Sequence, residues 1–146
     1  MTVKPIPDGY HTITPYFVMK NPREFIEFLK KAFNAESVSM SVSPDSKVMH
    51  AEIRIGDSMM MMSEASENNP AVNGSIYLYV NDTDAIYKQA LEAGAESLME
   101  PADQFYGDRN AGVKDPFGNT WWIGTHLENV SGDEIEKRHK EHQKKK

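Results

Sequence analysis

Apolar and polar positions alternate with two different periods along this chain, and the changes of period divide it into elements. Thr12 to Met19 alternates in twos, with Thr14, Tyr16 and Val18 on one face and Pro15, Phe17 and Met19 on the other, which predicts a strand. The period then lengthens. Phe25, Phe28, Leu29, Ala32 and Phe33 fall at i, i+3, i+4, i+7 and i+8, the apolar stripe of a helix. Asn21, Pro22 and Glu24 occupy the N-cap, first and third helical positions, and Asn34 can close the helix in the left-handed region. Strand patterning resumes over 37–42, 48–55 and 58–63, interrupted by Ser43-Pro44-Asp45-Ser46 and by Gly56-Asp57. Polar, turn-rich residues 65–74 follow, and then the same order returns. Residues 75–80 read as a strand, Asp82 caps a helix bearing Ile86, Tyr87, Ala90 and Leu91, and Gly94 ends it. A strand over 97–100, a long loop over 101–111, a strand into Lys114, the turn Asp115-Pro116-Phe117-Gly118 and a strand containing Trp121-Trp122 complete the second half.

Two short matches support a duplication. Ala35-Glu36-Ser37 recurs as Ala95-Glu96-Ser97, and Gly56 followed by Met59–Met62 has the layout of Gly118 followed by Trp121-Trp122. The chain therefore reads as an α+β protein of two βαβββ modules, 12–64 and 75–127, with a lead-in over 1–11, a linker over 65–74 and a charged helical tail over 128–146. Ser131 and Glu134 have capping-box spacing at the start of that tail, but only Ile135 beyond them is strongly apolar.

Composition narrows the partners. A formal net charge of −6, with Lys144-Lys145-Lys146 as the one dense basic run, argues against nucleic acid. The absence of cysteine excludes disulfides, thiolate metal sites and a cysteine nucleophile, and fits a cytoplasmic setting. No apolar run approaches the ~20 residues of a membrane span, and the first thirty residues hold no signal-like segment, so a soluble, unprocessed chain is expected.

Ile13-Thr14-Pro15-Tyr16, Val48-Met49-His50-Ala51-Glu52, Gln104-Phe105-Tyr106-Gly107-Asp108-Arg109 and Asp115-Pro116-Phe117-Gly118 together resemble the vicinal oxygen chelate superfamily, which comprises glyoxalases, bleomycin-resistance proteins and extradiol dioxygenases. Within it they resemble the PhnB-like branch, from which Asn119 departs where His is expected. The resemblance implies that each module curls a mixed sheet to form a cavity, with its helix on the convex side. It also implies a homodimer that pairs modules across chains. In that picture Pro15, Phe17, Met19, Ala51, Ile53, Ile55, Ile76, Leu78 and Val80 face the helices, with Met59 and Met61. Thr14, Tyr16, His50, Glu52, Met60, Met62, Ser75, Tyr77, Tyr79 and Trp122 face the cavity, an aromatic wall with a few polar handles.

The resemblance also locates four metal-ligand positions, at Thr14, Met60, Ser75 and Trp122. None suits Zn, Ni, Fe or Mn, which take imidazole or carboxylate, so no metal cofactor is expected. His50 and Glu52, two apart in a strand, share a face and are the candidate catalytic pair; the alternative is a hydrogen-bonded pair that shapes the sheet, with Arg54 neutralising Glu52. Gln104, Tyr106, Asp108 and Arg109 lie in the long loop, where binding groups are often carried. Arg109 suits a ligand carboxylate or phosphonate, or else pairs with an Asp and pins the loop. Tyr16, Tyr77, Tyr79 and Trp122 suit a planar ligand. His126, His139 and His142 read as solvated. The leading function is binding of a small, partly aromatic or acidic molecule in a metal-free pocket. The alternatives are a divalent-metal-dependent lyase or dioxygenase, with ligands from His50, Glu52 and His11, and a non-catalytic dimeric scaffold.

Overall fold

The structure, a computed structural model, describes residues 2–144. Two compact units meet in sequence between Gly74 and Ser75. The first contains β1 (Tyr16–Met19), α1 (Pro22–Phe33), β2 (Glu36–Val42), β3 (Val48–Ile55) and β4 (Ser58–Glu64). Its sheet has the order β1-β4-β3-β2, with β1 parallel to β4 and the other pairs antiparallel. The second contains β5 (Ser75–Tyr79), α2 (Thr83–Glu92), β6 (Glu96–Asp103), β7 (Asp108–Lys114) and β8 (Thr120–His126), followed by α3 (Gly132–Lys144). Its sheet repeats the pattern as β5-β8-β7-β6, again with only its first pair parallel. The predicted α+β architecture of two βαβββ modules, each with a mixed sheet, is the observed one.

The apolar stripe of α1 explains the core of the first unit. Phe25, Ile26, Leu29 and Ala32 are fully buried, as are Ala51 and Ile53 of β3. Each large side chain so buried contributes roughly 1.5–3 kcal/mol. Asn34 does close α1 in the left-handed region (φ 59°), with the Ala35 amide donating to the Leu29 carbonyl at 3.2 Å. At the other end Asn21 departs from its expected role. It is left-handed (φ 63°), its side chain caps nothing, and its own amide donates to Glu64 Oε2 at 3.0 Å.

Other expectations are corrected by register. The first strand begins at Tyr16 and not at Thr12. The Gly56-Asp57 turn pairs Ile55 with Ser58, which places Met60 opposite Ile53 and Met62 opposite Ala51. Met60 and Met62 are consequently buried on the helix side, and Met61, opposite Tyr16 and Glu52, takes the other face with Met59. A shift of one residue in a strand reverses every side chain. The long loop expected over 101–111 is a hairpin. β6 continues through Pro101, an edge position where a missing N–H costs no ladder bond, and only Gln104–Gly107 turn.

α3 buries no residue fully, yet it is fastened. Ser131 Oγ caps it by accepting from the Glu134 amide at 3.2 Å. Arg138 donates to the Phe105 carbonyl at 3.1 Å and to Glu128 at 2.7 Å. His139 and His142 are not simply solvated, because both rings lie against Phe105, with centroids 5.1 and 5.8 Å away. Among the described residues no helix is long and apolar enough to cross a membrane.

Candidate functional site

The face of the second sheet turned away from α2 carries the densest chemistry. Strand parity puts Tyr77 and Tyr79 of β5, Asp108, Asn110 and Gly112 of β7, and Trp122, Gly124 and His126 of β8 on this side. Two of its aromatic rings lie across glycines of a neighbouring strand. A Cβ on Gly112 would stand 2.5 Å from the Trp122 ring, and one on Gly124 would stand 2.7 Å from Cε1 of Tyr77. Glycine at these two positions is what lets the rings lie flat on the sheet. Tyr77 and Tyr79 are stacked obliquely with centroids 5.0 Å apart, and Tyr79 remains 66% exposed.

The hydroxyls of both tyrosines converge on one carboxylate. Asp108, only 4% exposed, accepts from Tyr77 at 2.8 Å and from Tyr79 at 2.9 Å on Oδ2, and meets His126 Nδ1 at 2.9 Å on Oδ1. His126 Nε2 lies 2.8 Å from Asn129 Oδ1. Burial pushes the Asp108 carboxyl up, but the bonds from His126, Tyr77 and Tyr79 together outweigh it and hold the group below the usual carboxylate range. His126 is raised above 6.5, first by the bond to Asp108 and then by Asn129. Tyr77 is raised by burial and by Asp108 against the opposing Asn110 bond, and Tyr79 by its bond to Asp108. Both phenols thus remain neutral donors and Asp108 remains an acceptor with its oxygens occupied. These bonds fix the rings in place.

Asn110 extends the network. Its Oδ1 accepts from Gln104 Nε2 at 3.1 Å, and its Nδ2 donates to Tyr77 Oη at 3.1 Å and to Tyr106 Oη at 2.7 Å. Arg109, one residue earlier, faces the other way. It donates to Asp84 of α2 through Nε and Nη2, both at 3.1 Å, and to Asp103 at 3.0 Å, so it pins β7 to α2 and does not reach the aromatic face. The expectation that Arg109 joins Tyr106 in a ligand site is corrected on that geometry. Asp115 is a second buried anchor, receiving the Phe117 and Asn119 amides, Asn119 Nδ2 and Trp121 Nε1 at 2.8–3.0 Å.

In the first unit, the face away from α1 bears Tyr16, His50, Glu52 and Met61, as the pairings of Tyr16 and Glu52 with Met61 require. The Tyr16 and His50 rings are 6.0 Å apart and tilted by 45°. His50 and Glu52 share a face, but Glu52 bonds elsewhere. It accepts from Tyr10 and from Ser39 Oγ, the latter at 2.7 Å, and these two bonds lower its pKa, with a smaller contribution from the charge of His50. Tyr10 is raised to about 12 by burial and by Glu52. Arg54 pairs with Glu36 and leaves Glu52 alone, contrary to expectation. His11 is exposed in the lead-in, and Ser63 Oγ is buried without a hydrogen-bond partner.

The repeat tests the inherited metal positions. Tyr16 pairs with Met61 as Tyr77 pairs with Trp122, so Met61, and not Met60, is the counterpart of Trp122. The positions then hold Thr14 and Met61 in the first unit and Ser75 and Trp122 in the second, and neither a hydroxyl with a thioether nor a hydroxyl with an indole fits Zn, Ni, Fe or Mn. Among the described residues no three His, Asp or Glu side chains gather in a metal-holding group.

From the sequence, Asp108 is one candidate among the loop's binding groups, His126 reads as solvated and Asn110 is not singled out. Their alternation with Gly112 and Gly124 about Trp122 is the signal that marks them.

Paired βαβββ units with an aromatic face and a buried polar network define a protein of the vicinal oxygen chelate type. Residues 11–123 match the Glyoxalase/Bleomycin resistance protein/Dioxygenase superfamily, and the chain belongs to that family. It is 33% identical over 135 residues to the uncharacterized protein Mb0911c of Mycobacterium bovis, covering 85% of this chain and 89% of that one. Identity to Rv0887c of Mycobacterium tuberculosis is also 33%, over 85% of this chain and 79% of that one. Among solved structures, TioX from Micromonospora sp. ML1 is similar in fold, with TM-score 0.69 at 19% identity, covering 80% of this chain and 99% of that one. A PhnB protein from Bacillus cereus is likewise similar, with TM-score 0.65 at 18% identity over 79% of this chain and 99% of that one.

Proposed function

We propose that this chain binds a small, planar, partly aromatic molecule on the Tyr77–Tyr79–Trp122 face, and that it does so without a resident metal. One observation carries the reading. Two partly exposed tyrosine rings are held by a single buried carboxylate, so the bonds that offset the desolvation of Asp108 also fix the rings. Rigid aromatic anchors lose little entropy when a ligand stacks on them, which is how such a face gains affinity. Tyr106, held by the buried Asn110, adds a polar handle at its edge. Ser75 shares the parity of Tyr77 and Tyr79 on β5, and Thr14 and Tyr16 hold the equivalent positions in the first unit. His50 and Glu52 serve in this reading as supports of the first sheet, since Glu52 already accepts from Tyr10 and Ser39.

Tryptophan fluorescence titration against planar drugs and small aromatic acids tests the proposal. Saturable quenching is expected, weakened roughly tenfold by Tyr79→Ala or Trp122→Ala, as loss of a stacking partner of about 0.5–1.5 kcal/mol plus its buried area requires. Binding that ignores both substitutions, or silence across the whole set, contradicts it.

A further inference from the structure

We infer that the aromatic face selects a planar ring carrying a neutral carbonyl acceptor, and that the Tyr106 hydroxyl is the donor that recognises it. This rests on the aromatic face being a binding face and goes on to name the chemistry that the face accepts. Gln104 Nε2 donates to Asn110 Oδ1, which fixes the orientation of the Asn110 amide. The two N–H groups of Asn110 Nδ2 are then directed at Tyr77 Oη and Tyr106 Oη. Tyr77 passes its own proton to Asp108. Tyr106 receives from Asn110 in the same way, but its proton has no acceptor among the described residues, and the side chain is 37% exposed. An oriented, unused O–H at the rim of an aromatic face needs an acceptor from outside.

The donor is also held still. The amide of Gly107 donates to the Gln104 carbonyl at 3.2 Å, and the Gly107 carbonyl accepts from the amides of Leu127 and Glu128. Gly107 sits at φ 102°, and a Cβ there would run into the Glu128 carbonyl oxygen, so the turn is seated against the segment after β8. Arg138 of α3 binds the Phe105 carbonyl from the other side, next to Tyr106 in sequence. A donor fixed before the ligand arrives loses less on binding than a mobile one.

Charge decides between a neutral carbonyl and a carboxylate. The nearest ionised group that the network reaches is Asp108, whose charge is shared with His126. Arg109, the cation suited to an anionic ligand, faces α2 and is occupied by Asp84 and Asp103. The cations on this face do not compensate a ligand carboxylate at Tyr106, because His126 is paired with Asp108 and Lys114 lies four residues along β7 from Asn110, roughly 13 Å away, whereas a ketone or amide oxygen can take the Tyr106 proton without bringing charge.

The test uses three probes measured by equilibrium dialysis on the full chain: 2-acetylnaphthalene, its acceptor-free analogue 2-ethylnaphthalene, and 2-naphthoate. The ketone is expected to bind about fivefold more tightly than the hydrocarbon, the ratio given by one neutral hydrogen bond, and more tightly than the carboxylate. Tyr106→Phe should erase that difference. Gln104→Glu keeps Tyr106 but removes the N–H that orients Asn110, so the amide turns over, Tyr106 donates inward, and the ketone preference is lost again. Thermal melts confirm that both variants fold. Equal binding of ketone and hydrocarbon by the native chain, a ketone preference that survives either substitution, or tighter binding of the carboxylate overturns this inference while leaving the aromatic face standing. Failure of all three probes to bind overturns the binding reading itself, and this inference with it.

Discussion

Asp108 shows how one residue can organise a surface. It is buried, yet it holds its charge, because three donors from three different positions replace the water it lost. Asp108→Asn keeps the volume but replaces an acceptor oxygen by a donor, leaving at least one of those hydroxyls or His126 without its partner. A loss of about 2–4 kcal/mol is expected in denaturant unfolding, in line with removal of charge-assisted bonds at a buried site. The pH dependence follows from the directions of the two shifts. His126 is raised, so its contribution is complete below its ordinary 6.5 and is lost as pH rises through its folded value above 6.5. Asp108 is lowered, so its contribution is present above its ordinary 3.8 and is lost as pH falls through its lower folded value. Stability should therefore decline on the alkaline side of 6.5 in the native chain, and His126→Gln should flatten that slope; a slope that persists in the variant would mean that another group titrates there.

At the level of elements, strands and glycines do the positioning. β8 carries Trp121 inward and Trp122 outward, and the rings that lie on the outer face need Gly112 and Gly124 beneath them. Gly124→Ala should displace the Tyr77 ring, break its bonds to Asp108 and Asn110, and lower stability by roughly 1–3 kcal/mol, the range for a side chain inserted into a filled space. An unchanged melting temperature together with unchanged tyrosine chemical shifts would show that the ring has room to spare. Much of this was legible in the sequence. The stripe of α1, the Gly56-Asp57 turn and the alternation of Tyr77, Tyr79 and Trp122 each declared an element and a face. What was not legible has definite physical causes. Met59–Met62 are four similar residues in a row, so they carry no alternation of their own, and only the hairpin register set by Ile55 and Ser58 reveals which of them face α1. Pro101 reads as a strand breaker but is tolerated at an edge, which hid the hairpin and with it the side of β7 on which Arg109 lies. Asn110 looked like a loop residue because its partners, Gln104, Tyr77 and Tyr106, come together only in the folded sheet.

Across the whole molecule, one topology occurs twice with different chemistry on each copy. The first unit places Tyr16, His50, Glu52 and Met61 where the second places aromatic rings above glycines and a buried carboxylate. The family to which the chain belongs includes metal-dependent enzymes, and the positions that would carry ligands here hold Thr14, Met61, Ser75 and Trp122. Fold alone does not assign an activity; the side chains on the sheet faces do. The proposed stacking platform with its oriented donor is expected to work without a metal. The most direct test is equilibrium dialysis of 2-acetylnaphthalene against protein stripped of metal by chelation, with Trp122→Ala alongside. The prediction is saturable binding, with the same affinity before and after stripping, that is lost in the variant. Binding that disappears on chelation and returns with added zinc, nickel, iron or manganese would contradict it.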